Sequence, residues 1–147
     1  MTQEENKQFI KRFMNEVLNK KNLDALNDYV ADNFVEEVPM PDQKPGREGL
    51  KYALNMMFKA YPDIYWTIDE QYAEGDYVIT RFTWTGTHKG EFMGYAATGK
   101  QVKTWGVVID VIKGGKLTRS WLLADRLGLM QQIGAIPTTA RAAQHWK

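Results

Sequence analysis

Between Ile64 and about Asp125 the chain alternates apolar and polar residues, with breaks where glycines cluster. Alternation of period two marks half-buried strands, and short glycine turns between them permit only antiparallel neighbours. Ile64–Trp66–Ile68 opens the run, Gly75–Asp76 turns it, and Tyr77 to His88 is a long β-rich stretch. A loop from Gly90 to Gly99 leads into Val102 to Ile112. Gly114–Gly115 then reads as a hairpin turn needing positive φ, from which Lys116 to Leu123 pairs back.

The first sixty residues have a different period. Phe9, Ile10, Phe13, Met14, Val17 and Leu18 recur at helical spacing with Lys, Glu and Asn between them. A second short helix is predicted over Leu23 to Tyr29, with Asn22 or Asp24 at its start. Phe34 to Val38 is extended, and the prolines at 39, 41 and 45 with Gly46 make an irregular loop. A third helix runs from about Glu48 to Ala60 and stops before Tyr61–Pro62, because a residue preceding proline is pushed out of helical geometry. A last helix, Leu127 to Ile133, is capped by Asp125 and stopped by Gly134. Helices first and a meander afterwards predict an α+β domain over residues 1–136, a curved antiparallel sheet with helices on one face, followed by a tail at 137–147. Such a sheet and its helices enclose a cone, which either fills with side chains or stays open as an apolar pocket.

A chain of 147 residues is the size of one domain. Nineteen basic against eighteen acidic residues leave a formal charge of +1, too little for the basic field that nonspecific nucleic-acid binding needs. There is no cysteine, which removes disulfides and thiolate metal sites. Two histidines, His88 and His145, argue against a multi-histidine metal site. No apolar run approaches the roughly 18 residues of a membrane span. The expectation is a cytoplasmic protein with no nucleic-acid or membrane partner.

Several motifs in order resemble one family. Gly86–Thr87–His88–Lys89–Gly90–Glu91–Phe92–Met93–Gly94, followed by Thr98–Gly99–Lys100 and Val102, is similar to the "GTHxGxFxG…TGK" signature of SnoaL-like proteins. The stretch Asp125 to Gly134 resembles that family's closing "D-x-L-G-L-x-Q-Q-L-G". Pro45–Gly46–Arg47–Glu48–Gly49–Leu50 and Tyr61–Pro62–Asp63 match in place and spacing. The resemblance implies the NTF2-like cone, a fold shared by polyketide cyclases, ketosteroid isomerases, epoxide hydrolases and noncatalytic proteins, so it leaves function open. The named cyclases close a ring by intramolecular aldol condensation without metal or cofactor, and close relatives carry the label ester cyclase. In them the acid/base is an Asp on the last strand with a His on the neighbouring strand. Here those places fall to Leu122 and Val108, and neither can move a proton. The same last-strand Asp serves the epoxide hydrolases, so Leu122 speaks against that chemistry too.

One carboxylate stands in an apolar strand. Asp110 interrupts Val107 to Ile112 and shares a face with Val108 and Ile112, which by the family comparison looks into the cone. Two readings stand for it. It is a proton-transfer carboxylate with a raised pKa, or a buried structural Asp paired with Arg81, Arg119 or an indole N–H. His88, on the face of Val78, Thr80, Phe82 and Trp84, either assists proton transfer or anchors the Gly90–Gly99 loop. Of Glu36 and Glu37, alternation sends one inward. Glu36 shares the face of Phe34 and Val38, and Glu37 is taken as the pocket residue, with surface solvation the alternative for both.

Phe13, Met14, Met57, Tyr61, Phe82, Trp84 and Phe92, with Val108 and Leu122, either line a cavity for a small apolar molecule or pack as core. The opposite sheet face carries Arg81, Thr83, Lys103, Trp105 and Trp121, a mixture expected at an interface, and is read as a homodimer surface. The expected function is a cofactor-free cyclase or isomerase moving protons through Asp110 and His88 on a small apolar carbonyl substrate. The alternatives are a noncatalytic carrier with the same pocket and a dimerising scaffold whose cone is filled.

Overall fold

The computed structural model describes residues 1–138, so residues 139–147 of the expected tail, His145 among them, lie outside the described residues. Thr2 and Glu5 form a reciprocal capping box that starts α1, Gln3–Phe13, and a π-helical turn, Met14–Asn19, continues it. Its apolar stripe, Phe9 to Leu18, is buried as the spacing predicts. The second predicted helix divides into a 3-10 turn, Leu23–Ala25, and the short α2, Leu26–Tyr29. The remaining elements are β1 (Val30–Glu36), α3 (Gly46–Ala60), β2 (Tyr65–Glu74), β3 (Tyr77–Thr87), β4 (Gln101–Lys113), β5 (Lys116–Ala124) and α4 (Arg126–Gln132). Asp125 accepts from the Gly128 N–H at 2.9 Å, the cap expected for α4. No helix among the described residues is long and apolar enough to cross a membrane.

The five strands form one sheet in the order β1–β5–β4–β3–β2. Strands β2 to β5 are the predicted antiparallel meander, and Gly114 and Gly115, both at positive φ (58° and 74°), make its tight last turn. The first strand corrects the expectation of a wholly antiparallel sheet, because β1 runs parallel to β5. Parallel pairing is possible since residues 37–115, about half of the chain, intervene between them, ample length for a crossover.

Two glycines, Gly90 of the motif and Gly106 of β4, have packing reasons. A Cβ on Gly90 would stand 2.2 Å from the Lys59 carbonyl oxygen, so only glycine lets the loop after β3 approach the end of α3. A Cβ on Gly106 would stand 2.6 Å from the Phe82 ring, which lies over β4 in its place. Inside the curve the sheet meets α1 and its π-helical turn, and Phe34, Ile64, Val78 and Leu117 are almost fully buried there. On the other face Ile79, Trp105, Trp121, Leu123 and Val35 are all more than a third exposed. Ion pairs Arg81–Glu70 and Arg119–Glu37 lie on that same outer face.

Candidate active site

Strand register decides which side chains enter the cone. On β4 and β5 the inner-face partners are Gly106 with Ala124, Val108 with Leu122, and Asp110 with Ser120. Parallel pairing of β1 extends the last of these rows, since Glu36 is the partner of Ser120. Glu36, Ser120 and Asp110 therefore stand side by side across three strands. Spacing of about 4.8 Å between strands lets the two carboxyl groups face each other over the serine.

The cone is open. It holds a cavity of about 210 Å³, against the roughly 10–15 Å³ that one water needs, so the filled-cone alternative is not realised. Phe13 and Met14 form one wall with Met57 of α3. Phe82 and Trp84 of β3 form another, and Phe92 closes it from the loop. Val108, Leu122, Asp110, Ser120 and Glu36 all reach the same space. The wall is apolar almost throughout, and its exposed members, Val38 and Arg126, mark the open side.

Burial dominates the electrostatics. Asp110 is 5% exposed, and loss of hydration pushes its carboxyl up to about 7, against the opposing effect of the hydrogen bond donated by Ser120 Oγ. Glu36 is also pushed up to about 7, first by burial and then by the negative charge of Asp110, while Arg126 acts in the other direction. Its Oε1 is buried without a hydrogen-bond partner among the described residues. The two buried carboxyls thus share one row, and the charge of Asp110 opposes ionisation of Glu36. The arginine partners expected for a structural Asp110 are excluded by position: Arg81 and Arg119 are on the outer face, held by Glu70 and Asp69 and by Glu37, and the partner found for Asp110 is Ser120.

Three expected site residues lie elsewhere. Glu37 is corrected: it points outward and pairs with Arg119 at 3.3 Å, whereas Glu36 lines the cavity. The physical reason is the period of two, which puts Glu36 on the side of buried Phe34. His88 is fully buried but does not reach the cavity, which corrects its proton-transfer role. Its Nδ1 lies 3.3 Å from the Thr98 N and 3.0 Å from Thr98 Oγ1, which ties the imidazole to the loop, while Nε2 is buried without a hydrogen-bond partner among the described residues. The His88 backbone binds both Gly99 and Lys100, completing that anchor. Tyr61 is buried behind the wall, against Trp84 at 5.0 Å and Phe92 at 5.4 Å, and burial pushes its phenol up to about 12.

The sequence reading also missed Ser120, Gln43, Met40 and Arg126, which the cavity brings together. A period-two reading of β5 marks Ser120 as inward, since Leu122 is inward too. Nothing local marks the others.

Comparison with known proteins follows the same outline. TsrD from Streptomyces laurentii is 25% identical, with a TM-score of 0.84, over 92% of this chain and 99% of that one. A candidate polyketide cyclase from Acidithiobacillus ferrooxidans is 30% identical, with a TM-score of 0.78, over 88% of this chain and 94% of its own. AclR from Streptomyces galilaeus, whose structure is described as that of a candidate hydroxylase, is 24% identical over 99% of this chain and 90% of its own, with a TM-score of 0.84. One fold thus carries proteins named for different chemistries. No match is found among the curated proteins. The family described as SnoaL-like polyketide cyclase matches residues 8–133, and with the fold agreeing over that length this chain belongs to the SnoaL-like polyketide cyclase family.

Proposed function

We propose that the chain is a proton-transfer enzyme of the cyclase or isomerase type, acting on a small, largely apolar carbonyl compound. The observation that carries this reading is the Glu36–Ser120–Asp110 row opening into an otherwise apolar cavity. The row stands one inward rung, about 7 Å, from Val108 and Leu122, the places where the resemblance puts the family's His and Asp. Proton-transfer capacity has moved along the sheet rather than vanished.

Ionised Asp110, held by Ser120, takes a proton from carbon beside the substrate carbonyl. The C–H electron pair moves into the enolate, and protonated Glu36 donates to the oxygen where charge develops. In a ring closure the enolate carbon then bonds to a second carbonyl carbon of the same molecule, whose oxygen takes the proton held by Asp110, while the first carbonyl re-forms and its proton returns to Glu36. In an isomerisation the proton returns to a different carbon. No atom is gained or lost in either case. Carboxyls near neutrality suit both halves of the step, since one is the base and its neighbour the acid.

Carbon-13 NMR titration of the two carboxyl groups tests the reading directly. Both signals are expected to move between about pH 6 and 8. Ordinary carboxylate titration of both, near pH 4, would remove the acid–base pair from the proposal.

The same reading covers the outer sheet face with a second copy. Ile79, Trp105, Trp121 and Leu123 expose a continuous apolar patch across β3, β4 and β5, bordered by the two ion-paired arginines. An apolar sheet face of this kind suits a self-complementary two-fold contact. Sedimentation is expected to give a dimer that Trp121→Glu dissociates. A wild-type monomer at micromolar concentration would end this part of the reading.

A further inference from the structure

The polar groups of the cavity are not spread evenly. Glu36 and Asp110 stand on the sheet, and off the sheet the lining includes two donors, Arg126 and Gln43, with Asp125, whose Oδ1 is occupied by the Gly128 N–H. Arg126 is exposed, lines the cavity, and makes no ion pair with a carboxylate among the described residues. Its Nη2 instead lies 3.6 Å from the sulfur of Met40, a weak acceptor for a guanidinium. Gln43 lies on the same side. Its Oε1 accepts from the Met40 N–H at 2.8 Å, which leaves its amide hydrogens as donors with no acceptor among the described residues. A forked cation and a fixed carboxamide, both lacking acceptors beside an apolar hollow, are the chemistry that recognises a carboxylate oxygen pair.

We infer that Arg126 and Gln43 bind a carboxylate at one end of the substrate, so that the cavity takes an apolar keto acid lying with its anionic end at the open side and its reacting carbon at Asp110. This rests on the reading of the cavity as the substrate site, and it adds what that reading lacks, a reason for one orientation. It makes Arg126 a specificity-determining residue.

The test pairs two molecules that differ only in charge, 4-phenylbutanoate and its primary amide. Quenching of Trp66 and Trp84, both in the cavity wall, reports binding. Wild type is expected to bind the carboxylate about tenfold more tightly than the amide. Arg126→Gln is expected to erase that preference while leaving amide affinity within about twofold, and Arg126→Lys to restore part of it. Because Arg126 is exposed, the variants are expected to melt within a few degrees of wild type, and thermal melts check this. Equal affinity for both molecules in wild type, or a preference that survives Arg126→Gln, overturns the inference and leaves the cavity reading intact. Failure of both molecules to bind overturns the two together.

Discussion

Asp110→Asn is expected to slow proton exchange on a bound apolar aryl ketone by roughly 10²–10⁴-fold, the usual worth of a positioned general base. The measurement is deuterium incorporation at the carbon beside the carbonyl, followed by NMR under single-substrate conditions. Asparagine keeps the size of the side chain and an oxygen to accept from Ser120, so the cavity stays intact and only the base is lost. Affinity for the ketone is therefore expected to change little while the rate collapses, the signature of an interaction made in the transition state. Exchange that proceeds unchanged in Asp110→Asn would take this residue out of the mechanism. Tight binding with no exchange even in wild type would turn the chain into the noncatalytic carrier that the sequence left open.

The same substitution is expected to stabilise the protein above neutral pH. Asp110 has a folded pKa of about 7 against an ordinary value of 3.8. Below about pH 4 the group is protonated in both folded and unfolded chains and carries no penalty. As pH rises from 4 through 7 the unfolded chain gives up its proton first, and the fold loses stability until the buried acid ionises as well. At pH 8 the native protein holds a buried charge with one hydrogen bond to Ser120. Removing that charge is expected to add on the order of 2–4 kcal/mol at pH 8, roughly 5–10 °C in melting temperature, and close to nothing at pH 4. Denaturant melts of both proteins at the two pH values check it. A variant less stable than wild type at pH 8 would mean that the Asp110 carboxylate is better solvated than its position implies. A single change that costs turnover and adds stability marks a residue kept for chemistry rather than for packing.

The parts of this site legible in the sequence are those that depend on neighbours along the chain. Val108 and Asp110 lie two apart on one strand, and a pleat sends them to the same side whatever surrounds them. Leu122 could be placed by counting back from the closing motif at Asp125, whereas the hairpin at Gly114–Gly115 alone misses the bulge between Val111 and Ile112 that shifts the pairing by one residue. Aromatics of α1 and β3 fell on buried faces by local period. His88 and Tyr61 were misplaced despite correct periodicity, because inward from the sheet is not the same as into the cavity. Near the end of β3 the interior is filled by the returning loop and the end of α3, and these two side chains are spent there.

By itself the sequence determined the order and type of the elements, the turn glycines, the cone and the common face of Val108, Asp110 and Ile112, since each is set by local period or by motifs a few residues long. Only the tertiary structure decided that β1 lies parallel beside β5, and hence that Glu36 meets Asp110 across Ser120. It alone decided that Arg126 and Gln43 share the open side. The physical reason is that these pairings join segments far apart along the chain. Period two sets which side of its own strand Glu36 takes, but the strand it then lies beside is settled by docking.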